Sequence, residues 1–98
     1  MYDIRYTKQA KKDAVKVERA GLKPKAAEII QTIRNNPYEE SQGFETLIGD
    51  LKGSCSRRIN RQHRFVYEVL PNVENITDAD GNPYEGIVKV ISMWTHYE

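Results

Sequence analysis

The chain has 98 residues, a length that predicts a single domain over residues 1–98. Hydrophobic residues make up 39% and charged residues 30%, and no apolar run approaches the roughly 20 residues of a membrane span. The first residues lack the apolar core of a signal peptide, and Cys55 is the only cysteine, so we expect a cytoplasmic protein without an internal disulfide.

The first predicted elements are a strand and two helices. Residues 2–6 alternate apolar and polar side chains, which is typical of a half-buried strand. Thr7 is a suitable N-cap for a helix that ends before Gly21. Its apolar stripe comprises Ala10, Ala14 and Val17. Pro24 suits the first turn of a second helix, which ends at residues 35–37. Its apolar face comprises Ala26, Ile29, Ile30 and Ile33.

The rest of the chain predicts three strands. A loop-rich segment at 38–53 precedes a β-hairpin at 54–69, and a last strand at 87–97 has apolar residues at both parities, as a central strand does. The predicted fold class is α+β with the order β-α-α-β-β-β: a twisted, mainly antiparallel sheet with the two N-terminal helices on one face. The other face is then either solvated or a binding surface.

The net charge is only +1, but the charges are unevenly distributed. Residues 51–67 contain five Lys or Arg and no acid, whereas residues 72–85 contain four acids and no Lys or Arg. A three-residue turn at 60–62 would place Arg58 opposite Arg64 on the open face. Like charges opposite each other are destabilising, and an anion between them would remove that conflict, since guanidinium groups match phosphate geometry. The alternative is that both side chains simply extend into solvent.

The remaining chemistry-bearing residues are few. The two histidines, His63 and His96, are far apart and lack ligand-spaced partners, so we expect no metal site and no cofactor. The parity of Cys55 makes it a buried thiol rather than a nucleophile. A carboxylate base at Glu45, an acid at His96 and arginines on a phosphate would suffice for RNA cleavage without a metal, in which the ribose 2′-OH attacks its own phosphate.

Three pieces of the sequence carry a family resemblance: "FETLIGDLKGSCSRRI", "HRFVYEV" and the closing "HY". Together they resemble the YoeB/Txe branch of the RelE/ParE toxin superfamily over essentially the whole chain. The resemblance implies a RelE-like fold and a type II toxin that enters the ribosomal A site and cuts mRNA without a metal. It implies Glu45 as general base, His96 as general acid, Arg64 as stabiliser of the charge on the phosphate, Arg58 as a phosphate ligand and Tyr97 as the residue that orients the nucleotide.

The resemblance also implies the partners. These are mRNA with the 16S and 23S rRNA around it, and a YefM-like antitoxin whose acidic disordered tail folds over the basic groove; a homodimer is left open. The other basic residues of the patch are candidate phosphate contacts: Lys52, Arg57 and Arg61.

Three features depart from the family pattern: Ile48 in place of a lysine, a long segment at 72–86, and Glu98 after the closing tyrosine. Two other functions stay open. One is a ParE-like toxin that inhibits DNA gyrase and cuts nothing, and the other is an inactive homologue that only binds antitoxin.

Overall fold

A computed structural model describes residues 1–47 and 53–94. In chain order, its elements are β1 (Tyr2–Tyr6), α1 (Lys8–Arg19), α2 (Lys23–Asn35), β2 (Glu45–Thr46), β3 (Ser54–Arg58), β4 (Arg64–Pro71) and β5 (Gly86–Ser92). The predicted α+β order is confirmed, with the short strand β2 as an addition. Within the described ranges, neither helix is long and apolar enough to cross a membrane.

The strands form one sheet in the order β1-β5-β4-β3-β2. Only β1 and β5 are parallel, and the other neighbouring pairs are antiparallel. Because α1 and α2 cross between β1 and the later strands, β5 can add to β1 in parallel from the far end of the chain. The predicted central position of the last strand is confirmed, since β5 pairs on both of its edges.

Both helices cover one face of the sheet, as the apolar stripes predict. Thr7 caps α1, because its hydroxyl accepts a hydrogen bond from the Ala10 amide at 3.0 Å. The stripe of α1 differs from the prediction at one position: Asp13 is buried and Ala14 is exposed. Asp13 tolerates burial because its carboxylate accepts hydrogen bonds from three N–H groups. The core comprises Ala10, Val17, Ala26, Ile29, Ile33, Cys55, Ile59, Phe65, Tyr67, Val88, Val90 and Met93.

The β3–β4 hairpin has the predicted register. Arg58 pairs with Arg64, and the Ile59 amide donates to the His63 carbonyl at 3.0 Å, which closes a three-residue turn at 60–62. Phe65 and Tyr67 then point into the core, while Arg64 and Val66 lie on the face without helices. Burial raises the pKa of the Cys55 thiol, in keeping with its predicted inward position.

Arg57, predicted from the sequence as a phosphate contact, is not on the surface. It shares the inward parity of Cys55 and is fully buried. Its guanidinium Nε donates to the Tyr67 hydroxyl at 3.1 Å, and its terminal nitrogens donate to the carbonyl oxygens of Pro37 (3.1 Å), Glu39 (2.7 Å) and Ser41 (2.8 Å). The same guanidinium lies over the Phe44 ring at 4.9 Å.

Arg57 therefore attaches the segment 37–44 to the sheet. The Tyr67 hydroxyl completes the attachment, because it donates a hydrogen bond to the same Pro37 carbonyl that Arg57 contacts. We call this set of residues the Arg57 clamp: Pro37, Glu39, Ser41, Phe44, Arg57 and Tyr67. The Phe44 ring also packs against the core.

The long segment between β4 and β5 is ordered by its own polar side chains. The Asn72 amide donates to the carbonyls of Ile76 and Tyr84, at 2.8 and 3.1 Å. Thr77 and Pro83 form a β-bridge, and the Asp78 carboxylate accepts from the amides of residues 80 and 82. Among the acids of this segment, Asp78 therefore has a structural role in the turn.

Replacement of Tyr67 by Phe tests the Arg57 clamp. The variant leaves the buried Arg57 Nε–H without its acceptor, so we expect the free energy of unfolding at pH 7 to fall by about 1–3 kcal/mol. Urea denaturation measures it. Tyr38→Phe is the matched control, because Tyr38 is exposed and its change should stay within about 0.5 kcal/mol. Equal effects of the two substitutions would contradict the clamp.

The stability difference between the wild type and Tyr67→Phe should depend on pH. Burial raises the pKa of Tyr67 from 10.0 to about 12, although the hydrogen bond from Arg57 lowers it in part. The folded state therefore resists ionisation that the unfolded state undergoes, and stability is lost as the pH rises from 10 towards 12. By pH 11 we expect the wild type to lose about 1.4 kcal/mol relative to Tyr67→Phe. If the difference in unfolding free energy between the two proteins stayed constant from pH 8 to 11, a raised pKa of Tyr67 in the folded state would be excluded.

Candidate active site

Two arginines lie side by side on the sheet face that the helices leave open. Arg58 on β3 and Arg64 on β4 are paired across the hairpin. They line an open cavity of about 320 Å³ with Asn60 and Arg61 from the turn. The cavity is large enough for a phosphate group, and the side chains that line it bring positive charge and hydrogen-bond donors.

Arg64 is held in place by the strands around it. Its Nε donates to the Ser56 hydroxyl at 2.8 Å, and a terminal nitrogen donates to the Gly43 carbonyl. The same nitrogen lies 3.8 Å from the Glu45 carboxylate. These contacts fix the guanidinium plane, so less side-chain entropy is lost when an anion binds to it.

Glu45 reaches this position because β2 pairs with β3. Glu45 lies opposite Ser56 in the register, and Ser56 in turn contacts Arg64. The Glu45 side chain is 61% exposed and that of Arg64 is 20% exposed, so the pair contributes little to stability. The carboxylate is therefore open to a ligand while standing beside a fixed cation.

Arg58 and Arg61 differ from Arg64 in their surroundings. Among the residues that the structure describes, their side chains take part in no hydrogen bond or ion pair. Within the described part of the chain, nothing pairs with these two charges beside Arg64, and this arrangement favours an anionic ligand.

The structure thus brings together four of the predicted site residues: Glu45, Arg58, Arg61 and Arg64. Arg57 lies on the opposite face of the same strand, in the core. Lys52, His96 and Tyr97 lie outside the described residues, as do Ile48 and Glu98.

The sequence interpretation missed two residues that shape the site, Gly43 and Ser56. Gly43 has a φ of +68°, and a Cβ placed on it would lie 3.0 Å from the Arg58 Cβ. Ser56 lies on the open face, where it is buried beneath the Arg64 side chain. A glycine in a loop is a signal for a positive φ, so the sequence held a signal for Gly43. Ser56 gave no signal, because the sequence does not show that the Arg64 side chain lies across it.

The chain after β5 is also anchored near this site. The rings of Trp94 and His63 stack with centroids 3.7 Å apart. The Asp13 carboxylate accepts hydrogen bonds from the backbone amides of Met93 at 3.0 Å and Trp94 at 3.3 Å. His63, dismissed as a metal ligand from the sequence, is instead a buried packing partner beside Arg64. The described residues contain no group of three or more His, Cys, Asp or Glu side chains that could hold a metal ion.

Two of the three comparisons with known proteins found YoeB toxins. Residues 6–97 match the family described as YoeB-like toxin of bacterial type II toxin-antitoxin system. A YoeB/ParE toxin from Agrobacterium tumefaciens superposes with a TM-score of 0.74 at 27% identity, covering 97% of this chain and 99% of that one. The toxin in a heterotetrameric YoeB–YefM complex from Staphylococcus aureus superposes with a TM-score of 0.72 at 28% identity, covering 99% of each chain.

A third structure, a YoeB dimer from Staphylococcus aureus, superposes with a TM-score of 0.70 at 28% identity, covering 98% of each chain. A search of curated protein sequences gave no match.

Replacement of Gly43 by Ala tests how closely the segment 42–45 approaches the arginines. The new methyl group would contact the Arg58 Cβ, and the alanine backbone would have to adopt a positive φ. We therefore expect a loss of about 2–3 kcal/mol in unfolding free energy. Gly81→Ala is the matched control: its φ is +84° but a Cβ there meets nothing within 4 Å, and about 1 kcal/mol is expected. Chemical denaturation measures both, and equal losses would show that the close approach does not constrain the site.

Proposed function

The chain belongs to the YoeB-like toxins of bacterial type II toxin–antitoxin systems, and from that premise we propose that it is an endoribonuclease that cuts mRNA on the ribosome. The observation that carries the proposal is the exposed carboxylate of Glu45, 3.8 Å from the fixed Arg64 guanidinium. Arg58 is paired with Arg64 across the hairpin and has no ion-pair partner among the described residues. A proton acceptor and a phosphate-binding pair on one open face are the requirements of RNA cleavage by the 2′-OH.

The proposed reaction is a transesterification followed by release. Glu45 accepts the proton of the ribose 2′-OH, and the 2′-oxygen attacks the adjacent phosphorus. Arg64 and Arg58 stabilise the additional negative charge on the phosphate oxygens. The bond to the 5′-oxygen breaks as His96 donates a proton to it. The products are a 2′,3′-cyclic phosphate and a 5′-hydroxyl, and Glu45 and His96 have exchanged protonation states.

The remaining candidate residues support RNA binding in this proposal. Arg61 in the turn and Lys52 contact backbone phosphates, and Tyr97 orients the nucleotide at the cleaved bond. No step calls for a metal ion or a cofactor, because the acid, the base and the cations are all side chains of this chain. Loading on the ribosome would place the mRNA strand across the open face.

The partner of the basic face in the absence of RNA is proposed to be an antitoxin. The relative from Staphylococcus aureus was solved as a YoeB–YefM toxin–antitoxin complex, and a related structure is a YoeB dimer. We propose that this chain binds a YefM-like antitoxin whose acidic segment covers Arg58, Arg61 and Arg64. Like charges on the open face explain why an acidic segment would bind there. Self-association of the toxin is a further proposal from the dimer.

Cleavage of mRNA on purified ribosomes tests the nuclease. We expect the wild type to cut and Arg64→Ala and His96→Gln each to lower the rate at least about 100-fold, because each removes a group that acts only in the transition state. Glu45→Gln should have a comparable effect. Arg19→Ala is the matched control, since it removes the same charge from the exposed end of α1, and its rate should stay within about twofold. Products are identified by mass spectrometry of the 3′ ends.

The outcomes separate the competing functions. Intact mRNA together with blocked supercoiling by DNA gyrase would replace the nuclease with a ParE-like inhibitor. Intact mRNA with unaffected gyrase, but tight antitoxin binding, would leave an inactive homologue. If His96→Gln cut mRNA at the wild-type rate, His96 would not be the general acid.

Binding of a non-cleavable oligonucleotide tests the phosphate contacts apart from chemistry. With a 2′-deoxy single strand, the logarithm of affinity should fall linearly with the logarithm of salt concentration. Arg58→Ala should reduce the slope by about 0.7, the value expected for one phosphate contact on a single strand. Arg19→Ala should leave it unchanged, and an unchanged slope in Arg58→Ala would contradict the assignment.

A further inference from the structure

On the edge of β5 that pairs with β1, the last residues of β5 are held by the start of helix α1. β1 ends at Tyr6, opposite Val90. Beyond that point the Thr7 amide donates to the Val90 carbonyl at 3.1 Å, and the Thr7 hydroxyl donates to the Ile91 carbonyl at 2.9 Å. Thr7, the N-cap of α1, therefore continues the hydrogen bonding beyond the end of β1.

Asp13 extends this hold to the last described residues. Its Oδ2 accepts from the amides of Met93 and Trp94, and its Oδ1 accepts from the Gln9 side-chain amide at 2.8 Å. The side chain is fully buried. A buried carboxylate with three N–H donors gives charge-assisted hydrogen bonds to the backbone, which are stronger than neutral ones.

A register shift determines which residues face the arginines at this end. Tyr67 pairs with Val90 but Val66 pairs with Ser92, so Ile91 is an extra residue in β5. The shift puts Ser92 on the open face with Val66, whereas Val88 and Val90 face the core. The stack of Trp94 on His63 then joins the chain to the turn that precedes Arg64. His63 is itself fixed, because its amide donates to the Asn60 side chain at 2.7 Å.

We propose that Asp13 is a positioning residue for the nuclease reaction: together with the Trp94–His63 stack, it fixes the point from which the chain continues to His96. The inference rests on the proposed function. His96 follows Trp94 by two residues, a span short enough that the anchor at Trp94 limits where the imidazole can go. Since an error of about 1 Å in placement can cost about 100-fold in rate, loss of the anchor should act on the chemical step.

Asp13→Ala, Asp13→Asn and Val17→Ala form the test set. We expect Asp13→Ala to lower kcat for ribosomal mRNA cleavage about 10–100-fold with KM within about threefold. Asp13→Asn keeps one oxygen for the two backbone amides, so it should restore kcat to within about threefold of wild type. Val17→Ala removes a buried side chain from the same helix but leaves the hydrogen bonds between Asp13 and residues 93–94 in place. It should lose stability but keep wild-type kcat at a temperature where it is folded.

The single tryptophan gives a readout that is independent of activity. Trp94 is the only tryptophan, so its quenching by acrylamide reports on the anchor directly. Asp13→Ala should increase the quenching constant, whereas Val17→Ala and Asp13→Asn should not. If Asp13→Ala does not fold, Trp94→Ala and Trp94→Phe replace it. The Phe variant keeps a ring on His63 and should retain kcat, while the Ala variant should lose it.

A double variant separates positioning from general damage. If Asp13 acts through His96, Asp13→Ala combined with His96→Gln should be no slower than His96→Gln alone. Additive losses would overturn the inference, and so would equal kcat in Asp13→Ala and Val17→Ala, or unchanged quenching in Asp13→Ala. A wild type that cuts no RNA would overturn the proposed function, and the inference with it. If the wild type cuts RNA but the Asp13 variants give any of these contrary results, only the inference about Asp13 is overturned and the proposed function stands.

Discussion

The buried guanidinium of Arg57 is the interaction on which the site depends. It is a cation in the core, and among the described residues it meets carbonyl oxygens, a hydroxyl and the Phe44 ring rather than a carboxylate. Such a group is tolerated only when its donors are satisfied, because an unpaired buried charge costs several kcal/mol. The three carbonyls that satisfy it all belong to the segment after α2. The energetic requirement of one side chain therefore determines the path of a segment without regular structure.

That path has consequences on the other side of the sheet. The clamped segment runs directly into Gly43 and β2, so the carbonyl that Arg64 contacts and the carboxylate of Glu45 are both placed by it. Arg57 and Arg58 are neighbours in the chain but face opposite sides of β3. Arg57 holds the segment 37–44 from the core side, and Arg58 is exposed on the open face. Stability and charge placement are thus provided by consecutive residues of the same strand.

Two segments near Arg64 are held by different devices. The Arg57 clamp holds the segment that leads to Glu45, and Asp13 with the stack of Trp94 on His63 holds the chain just after β5. Both devices use a buried charged side chain that forms most of its hydrogen bonds with backbone groups. Side chains that bind backbone can fix a segment whatever its own sequence, which lets the segments beside the site vary in composition while their position is kept.

The sequence by itself determined the element order, the helix caps and the hairpin register, because these follow from local periodicity, from Thr7 and Gly21, and from the length of one turn. It also indicated that Arg58 and Arg64 would meet on the open face, since parity and register are properties of neighbouring strands. Only the tertiary structure decided that Arg57 is internal, that Ser56 and Gly43 hold Arg64, and that Asp13 belongs to the core. Each of these depends on contacts between residues far apart in the chain, where a charged side chain is buried or exposed according to the partners that folding brings to it.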